Sequence, residues 1–315
     1  MAAAHISAYE HGLDIAGLLS KPIRLETLRE FLYCDPSLHP SIPDVKPAEE
    51  LGNAPITSSD IRKAIQSEHF RLDYQPKVNC VSRRVTGFEA LIRWDCPIKG
   101  LIMPDRFIQL SEELGLIGLI TDQVVDNALN WHQSMAEIDK LSISINLSAN
   151  SLQDLDLANW LEKMCDQAGI KKELVVLEIT ETAALGDQLL ALDIFTRLRM
   201  KGFGVWIDDF GVGNSSLRVL ARLPFSGIKL DKSFAMTATT SQESRIIIKS
   251  TVELSHSLGL LVIAEGVEDR ETLDFLQEIG CDHAQGYYIS RPMSGSTAAD
   301  WMGGYHDRLD MAVSG

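Results

Sequence analysis

Short apolar runs alternate with amphipathic stretches of helical length from about residue 58 almost to the end of the 315-residue chain. Candidate strands lie at 70–75, 85–92, 141–147, 174–179, 203–207, 227–230, 260–264 and 284–289. Between most of them, segments 106–114, 121–138, 151–168, 187–201, 243–258 and 269–279 carry apolar residues at helical spacing, as at Leu189, Leu192 and Phe195. Such alternation calls for a parallel sheet covered by helices, and eight strands are the number that closes a barrel. The first two strands are joined by 79–84 alone, too short for a crossover helix, so that pair is predicted antiparallel. The expected fold is therefore α/β: a modified TIM (β/α)8 barrel with its first strand pair antiparallel. An open doubly wound sheet is the rival.

The positions of the polar residues separate the two. Seven of the eight strands are interrupted or closed by one: Glu89 in GFEALIRW, Asn146 after SISI, Glu178 ending VVLE, Asp208 and Asp209 after VWI, Lys229 in GIKLD, Glu265 after LVIA, and Gln285 before Gly286. A lone acid at a strand end is most often a solvated turn residue or a helix cap. Several converging on one barrel mouth are different, because such barrels carry their chemistry at the carboxyl ends of several strands. Like charges in a drying cleft raise one another's pKa unless a cation neutralises them. A divalent metal is the physical answer. Oxygen donors from Glu89, Asn146, Glu178 and Asp208, with no thiolate or imidazole cluster nearby, suit Mg2+ or Mn2+ better than Zn2+. Asp209, adjacent, would hold a second ion.

Charge narrows the partners. Lys and Arg number 29 against 44 Asp and Glu, a net charge of −15, which argues against gripping a long nucleic acid by counterion release. An anionic ligand would need local cations or metal. The longest apolar stretch, 258–264, falls far short of a bilayer span, and the five cysteines lack the spacing of a zinc cage or disulfide framework. A reducing cytoplasm is the expected compartment. Residues 9–33 read as a helix end, a strand at 15–19, a Lys21-Pro22 turn and a second helix. The stretch 34–60 holds five of the eleven prolines and reads as a stiff linker, after which Thr57 or Ser58 would cap a helix through about Ser67. The expected organisation is a partial segment at 1–35, a Pro-rich linker at 36–57 and the barrel at 58–305.

These residues together resemble the EAL-domain family of cyclic-di-GMP phosphodiesterases. The signature triplet is Glu89-Ala90-Leu91. The match runs from Tyr74-Gln75-Pro76-Lys77 through Gly87 to Trp94 and Asn146-Leu147-Ser148, then Glu178-Ile179-Thr180-Glu181, Asp208 to Gly213 and Lys229-Leu230-Asp231. Ala264 to Glu268 and Gln285-Gly286-Tyr287 complete it, over about residues 61–300. The 9–33 segment is similar to the closing part of a response-regulator receiver domain, whose lysine, here Lys21, contacts a phosphoryl group. The acidic pocket and phospho-accepting Asp that should lie upstream of it are absent from this sequence.

The resemblance implies hydrolysis of one phosphodiester of cyclic-di-GMP to linear 5′-pGpG by a water activated between two Mg2+ or Mn2+ ions; Ca2+, whose looser coordination positions water less strictly, is expected to be an inhibitory substitute. It implies Glu89, Asn146, Glu178 and Asp208 as ligands of the first metal, Asp208 bridging and Asp209 serving the second. Lys229 would orient the water and offset phosphoryl charge, and Glu265 would be a further essential carboxylate, as ligand or proton acceptor. Gln75 and Arg93 are implied substrate contacts, although Arg93 could instead pair with a neighbouring acid. Gln285 would belong to the pocket floor or order a metal-site partner. Glu181 and Glu268 would stand behind the ligands, helix capping being equally natural for Glu268, and Asp231 would neighbour Lys229. A homodimer through 209–220 is also implied. The clearest departure is Cys96-Pro97, where the family usually has His-Pro. The alternative function is a receptor that binds cyclic-di-GMP at this mouth without hydrolysis and reports to a protein partner; the presence of Glu89, Asp209, Lys229 and Glu265 favours the enzyme.

Overall fold

A computed structural model describes residues 55–135, 140–211 and 217–313. The receiver-like segment at 1–35 and the linker as far as 54 lie outside the described residues, as do 212–216 of the expected dimer segment. Ten strands are described: β1 (Phe70–Asn79), β2 (Val85–Cys96), β3 (Gly100–Ile102), β4 (Ser142–Leu147), β5 (Val175–Thr180), β6 (Gly204–Phe210), β7 (Gly227–Leu230), β8 (Leu261–Ala264), β9 (His283–Ala284) and β10 (Met293–Ser294). The helices around them are α1 (Ser58–Gln66), α2 (Ile108–Glu113), α3 (Ile117–Ser134), α4 (Leu157–Ala168), α5 (Glu181–Ala184), α6 (Gln188–Met200), α7 (Leu217–Arg222), α8 (Lys232–Thr237), α9 (Gln242–Ser257), α10 (Arg270–Glu278) and α11 (Gly295–Val313).

Eight strands close a ring in the order β1, β2, β4, β5, β6, β7, β8, β9 and back to β1. Because β1 pairs on both sides, the sheet has no free edge there and the open doubly wound arrangement is excluded. The β1–β2 pair is antiparallel as expected, and β1 also runs against β9, so one reversed strand sits in an otherwise parallel barrel. The short strands β3 and β10 pair only with β2 and β1 respectively and extend the sheet beyond the ring.

The last expected strand, 284–289, is a correction: only His283–Ala284 is strand, and 286–289 turns. The reason is Gly286. A Cβ there would lie 2.1 Å from the Val267 carbonyl oxygen, so only glycine lets the chain fold back on the β8–α10 loop. Val267 N–H then donates to Gln285 O at 3.1 Å and Tyr288 N–H to Val267 O at 3.0 Å. Two expected helices also break. Segment 106–114 becomes a 3-10 turn at Pro104–Arg106 followed by α2. Segment 151–168 is split at Asp154, whose carboxylate accepts the Asp156 N–H at 2.8 Å, a local bond that competes with helix continuation. Thr57 caps α1 in a reciprocal box with Asp60.

Two apolar cores result. The outer one lies between strands and helices and includes Phe70, Trp94 and Phe107, with ring centroids 5.3–5.6 Å apart. The inner one is small, formed by Val176, Trp206 and Ile263 inside the ring. It lies below the polar mouth, on the lumen side of β5, β6 and β8.

Candidate active site

Strand alternation sends residues i and i+2 to the same side of the sheet, and closure of the ring makes that side either lumen or exterior. On β1 this puts Asp73, Gln75 and Lys77 on one face, and on β2 Gly87, Glu89, Leu91 and Arg93; Gln75 stands directly across from Glu89. Ser144 and Asn146 follow on β4, paired in register with Glu89 and Glu178 respectively. Asp208 on β6, Lys229 on β7, Glu265 just past β8 and Gln285 just past β9 complete the circuit.

Lys229 is at its centre, 1% exposed. Its Nζ lies 2.6 Å from Glu178 Oε2, 2.7 Å from Glu265 Oε1, 3.1 Å from Asp208 Oδ1 and 3.3 Å from Glu89 Oε1. Glu89 is fixed from two more directions: Asn146 Nδ2 donates to Oε1 at 2.9 Å and Gln285 Nε2 to Oε2 at 2.6 Å. Gln285 Nε2 also donates to Gln75 Oε1 at 3.0 Å, and Gln75 Nε2 to Ser290 O at 3.1 Å. The Oε1 of Gln285 is buried without a hydrogen-bond partner.

Consecutive strand residues ordinarily face opposite ways, yet Asp208 and Asp209 both reach the mouth. The register of β6 on β7 shifts between Ile207 and Phe210, and Asp209 has φ 54°, a left-handed conformation that an aspartate tolerates at a cost of about 1–3 kcal/mol. The Asp209 N–H donates to Asp208 Oδ1 at 2.9 Å. As a result Asp208, Asp209 and Glu265 each present a carboxylate oxygen within 4.8 Å of the others. Three hard anionic donors so close fit a divalent cation; of the expected ligands, Glu89, Asn146 and Glu178 lie outside this trio, Asn146 bonded to Glu89, and Glu89 and Glu178 to Lys229.

The electrostatics divide these acids. Burial pushes Glu265 up to about 8, against the pull of Lys229. Burial likewise raises Glu89, Asp208 and Asp209 above the ordinary carboxylate range. Burial acts on Glu178 too, but the ammonium groups of Lys229 and Lys77 together outweigh it and hold that carboxyl at about 2. For Lys229, desolvation favours the neutral amine, yet Glu178, Glu265, Glu89 and Asp208 combine to carry it well above lysine's usual value. The mouth thus holds one secure carboxylate, one secure ammonium and several acids awaiting more positive charge.

The other expected residues fall around this centre. A cleft of about 390 Å3 is lined by Gln75, Glu89, Arg93, Lys229, Glu265, Glu268 and Gln285, among others. Arg93 is buried, its Nε 3.1 Å from Asp73 Oδ2, so the acid partner left open by the sequence is Asp73. Asp231 accepts the Ser233 N–H at 2.9 Å and caps α8. Glu181 is buried at the start of α5. Glu268 is exposed at the cleft, and the cap of α10 is its neighbour Asp269. Three participants were given no role by the sequence: Asp73 and Ser144, which were not singled out, and Lys77, which stood only in the matched Tyr74-Gln75-Pro76-Lys77 stretch. Lys77 Nζ donates to Ser144 Oγ and lies 3.3 Å from Glu178 Oε1. The period-two pattern of β1 was the available signal, since it puts Asp73 and Lys77 on the face of Gln75.

The fold and mouth define a closed α/β barrel with a lysine-centred carboxylate site at the carboxyl ends of its parallel strands. A family profile described as EAL domain matches residues 58–292, and the chain belongs to that family. It is 34% identical over 244 residues to the biofilm architecture maintenance protein MbaA of Vibrio cholerae, covering 77% of this chain and 30% of MbaA. It is 31% identical over 294 residues to the cyclic di-GMP phosphodiesterase RocR of Pseudomonas aeruginosa, covering 93% of this chain and 74% of RocR. Among solved structures, the PaMucR phosphodiesterase in complex with c-di-GMP superposes with a TM-score of 0.72 at 34% identity, covering 76% of this chain and 98% of that one. The chain spans only about a third of the length of several curated relatives it matches, MbaA at 30%, NbdA at 32% and MucR at 34%.

Proposed function

We propose that this chain hydrolyses one phosphodiester of cyclic-di-GMP to linear 5′-pGpG, with Mg2+ or Mn2+ held by Glu89, Asn146, Glu178, Asp208 and Asp209. The observation that carries the reading is the buried ammonium of Lys229 shared by four carboxylates, of which Glu89, Asp208 and Glu265 line the cleft, in a chain whose relatives include named cyclic di-GMP phosphodiesterases. Divalent ions at such a cluster supply an acidified water and neutralise phosphoryl charge.

The chain's own residues do the rest. Lys229 stands within reach of both the acids and the cleft, and offsets charge that develops on the phosphoryl oxygens. Glu265, whose Oε1 lies 2.7 Å from Lys229 Nζ, is a further carboxylate at the cleft, as metal ligand or proton acceptor. Arg93, oriented by Asp73, offers a planar fork toward phosphate. Gln285 and Gln75 relay hydrogen bonds from Glu89 to the Ser290 carbonyl and so fix the floor on which a guanine edge would rest. Glu181, Asp231 and Glu268 support this arrangement from around it. A homodimer through 209–220 belongs to the same reading and rests on the family resemblance.

The test is product analysis in heavy-oxygen water. Hydrolysis by water places one heavy oxygen on the 5′ phosphate of pGpG. Tight binding of cyclic-di-GMP with no linear product at micromolar enzyme would instead make the chain a receptor.

A further inference from the structure

We propose that Lys77 is a positioning residue that fixes Glu178 from the side of the barrel opposite the cleft. The inference rests on the reading of Glu178 as a metal-holding residue. Lys77 is only 4% exposed. Its side chain crosses the lumen from β1 to β4 and β5, where Nζ donates to Ser144 Oγ and lies 3.3 Å from Glu178 Oε1. Lys229 takes the other oxygen, Oε2, at 2.6 Å. Each oxygen of one fully buried carboxylate therefore has its own ammonium, and the carboxylate plane is held from two sides.

The surroundings keep Lys77 out of the reaction while giving it this reach. Its cross-strand neighbour on β2 is Gly87, where a Cβ would come within 2.1 Å of Ser142 Oγ; no side chain from that position stands between Lys77 and β4. The ammonium sits 5.7 Å from the centre of the Trp206 ring, beside the inner apolar cluster of Val176, Trp206 and Ile263. On its far side it lines a second cavity of about 530 Å3 together with Thr86, Trp206 and His283. That cavity shares none of its lining residues with the cleft. Lys77 thus acts on the site through Glu178. Burying an ammonium is costly without paired charge, and a methionine would fill the same space without that cost. What the lysine adds is a second cation that stays with Glu178 when Lys229 engages phosphate.

The test compares wild type, Lys77→Met, Lys77→Arg and Ser144→Ala by Mn2+ calorimetry without nucleotide, by cyclic-di-GMP kinetics and by thermal melting. Folded Lys77→Met is expected to bind Mn2+ about 10–100-fold more weakly, the range for residues that orient metal ligands. Its kcat should fall in parallel while KM moves less than about threefold. Lys77→Arg should recover part of both losses, because the cavity beneath gives the longer side chain room. Ser144→Ala, which keeps the charge but loosens it, should lose a few-fold in Mn2+ affinity and carries the test if Lys77→Met does not fold. Folded Lys77→Met with wild-type Mn2+ affinity, or with a change in KM alone, overturns the proposal. If wild type binds Mn2+ but makes no pGpG, the hydrolase reading fails and the calorimetric comparison still decides the role of Lys77. Wild type that binds no Mn2+ overturns both.

Discussion

Lys229 Nζ lies 2.6 Å from Glu178 Oε2, with the two side chains 1% and 0% exposed. Such a pair is expensive to desolvate, and removing one partner strands the other. Here the stranded charge would be multiple, since Glu89, Asp208 and Glu265 share the same ammonium. Lys229→Ala is therefore expected to lower kcat by about 100-fold or more, the scale for losing one preorganised charge stabiliser. Affinity for cyclic-di-GMP, measured in Ca2+, should fall far less. Equal losses in turnover and binding would remove Lys229 from its assigned role.

Glu89 is held by Asn146, Gln285 and Lys229 at once, so its loss acts on several groups together. Glu89→Ala should weaken Mn2+ binding by at least about tenfold and abolish measurable turnover, as read by calorimetry and product formation on the same sample. Wild-type Mn2+ affinity in this variant would contradict the ligand assignment.

The stability of the metal-free protein should fall as pH rises through neutrality. Burial pushes Glu265 up to about 8 and raises Glu89, Asp208 and Asp209, whereas unfolded carboxyls titrate near pH 4. Between those limits the native state binds more protons than the unfolded state, so unfolding free energy declines with increasing pH and levels off above about pH 8. Glu178, held at about 2, has the opposite sign. Its contribution is complete above the ordinary carboxylate range and is lost only in strong acid, so it does not oppose the neutral trend. Urea midpoints between about pH 6.5 and pH 8, above the range in which buried His283 with its lowered pKa works the other way, should therefore decrease without metal and flatten with saturating Mg2+. Midpoints that rise with pH in the metal-free protein would contradict the burial argument.

Ca2+ should bind the same carboxylates yet support little turnover, because its longer, looser coordination holds water less strictly than Mg2+ or Mn2+. Competition calorimetry against Mn2+ and an assay in Ca2+ alone check this. Turnover in Ca2+ equal to that in Mn2+ would count against it.

Much of this was legible because apolar strands make polar intrusions conspicuous. Glu89, Glu178, Asp208, Lys229 and Gln285 each interrupt or end such a run, and the short 79–84 link revealed the antiparallel β1–β2 pair. What stayed hidden depends on closure or backbone detail. Asp73, Lys77 and Ser144 share a face with Gln75 or Asn146, but a shared face does not say which side chains meet: only closure of β1 onto both β2 and β9 brings Lys77 across to Ser144 and Glu178. The positive φ of Asp209 has no local sequence mark apart from the residue's own tolerance for it. The run Gln285 to Ile289 looks like strand because its apolar aromatics do; the contact of Gly286 with Val267 that bends it is long-range in kind, with no trace in the run itself. Arg93 was read with two partners, and only the fold brings Asp73 to within 3.1 Å of its Nε.

The most direct measurement of the central claim is a metal add-back. Protein stripped of divalent ions is incubated with cyclic-di-GMP, and nucleotides are separated before and after Mn2+ is added. The account predicts no product before addition and quantitative 5′-pGpG afterwards, with Glu89→Ala inert in both. Bound but unconverted cyclic-di-GMP after Mn2+ addition, or equal conversion without metal, would contradict it.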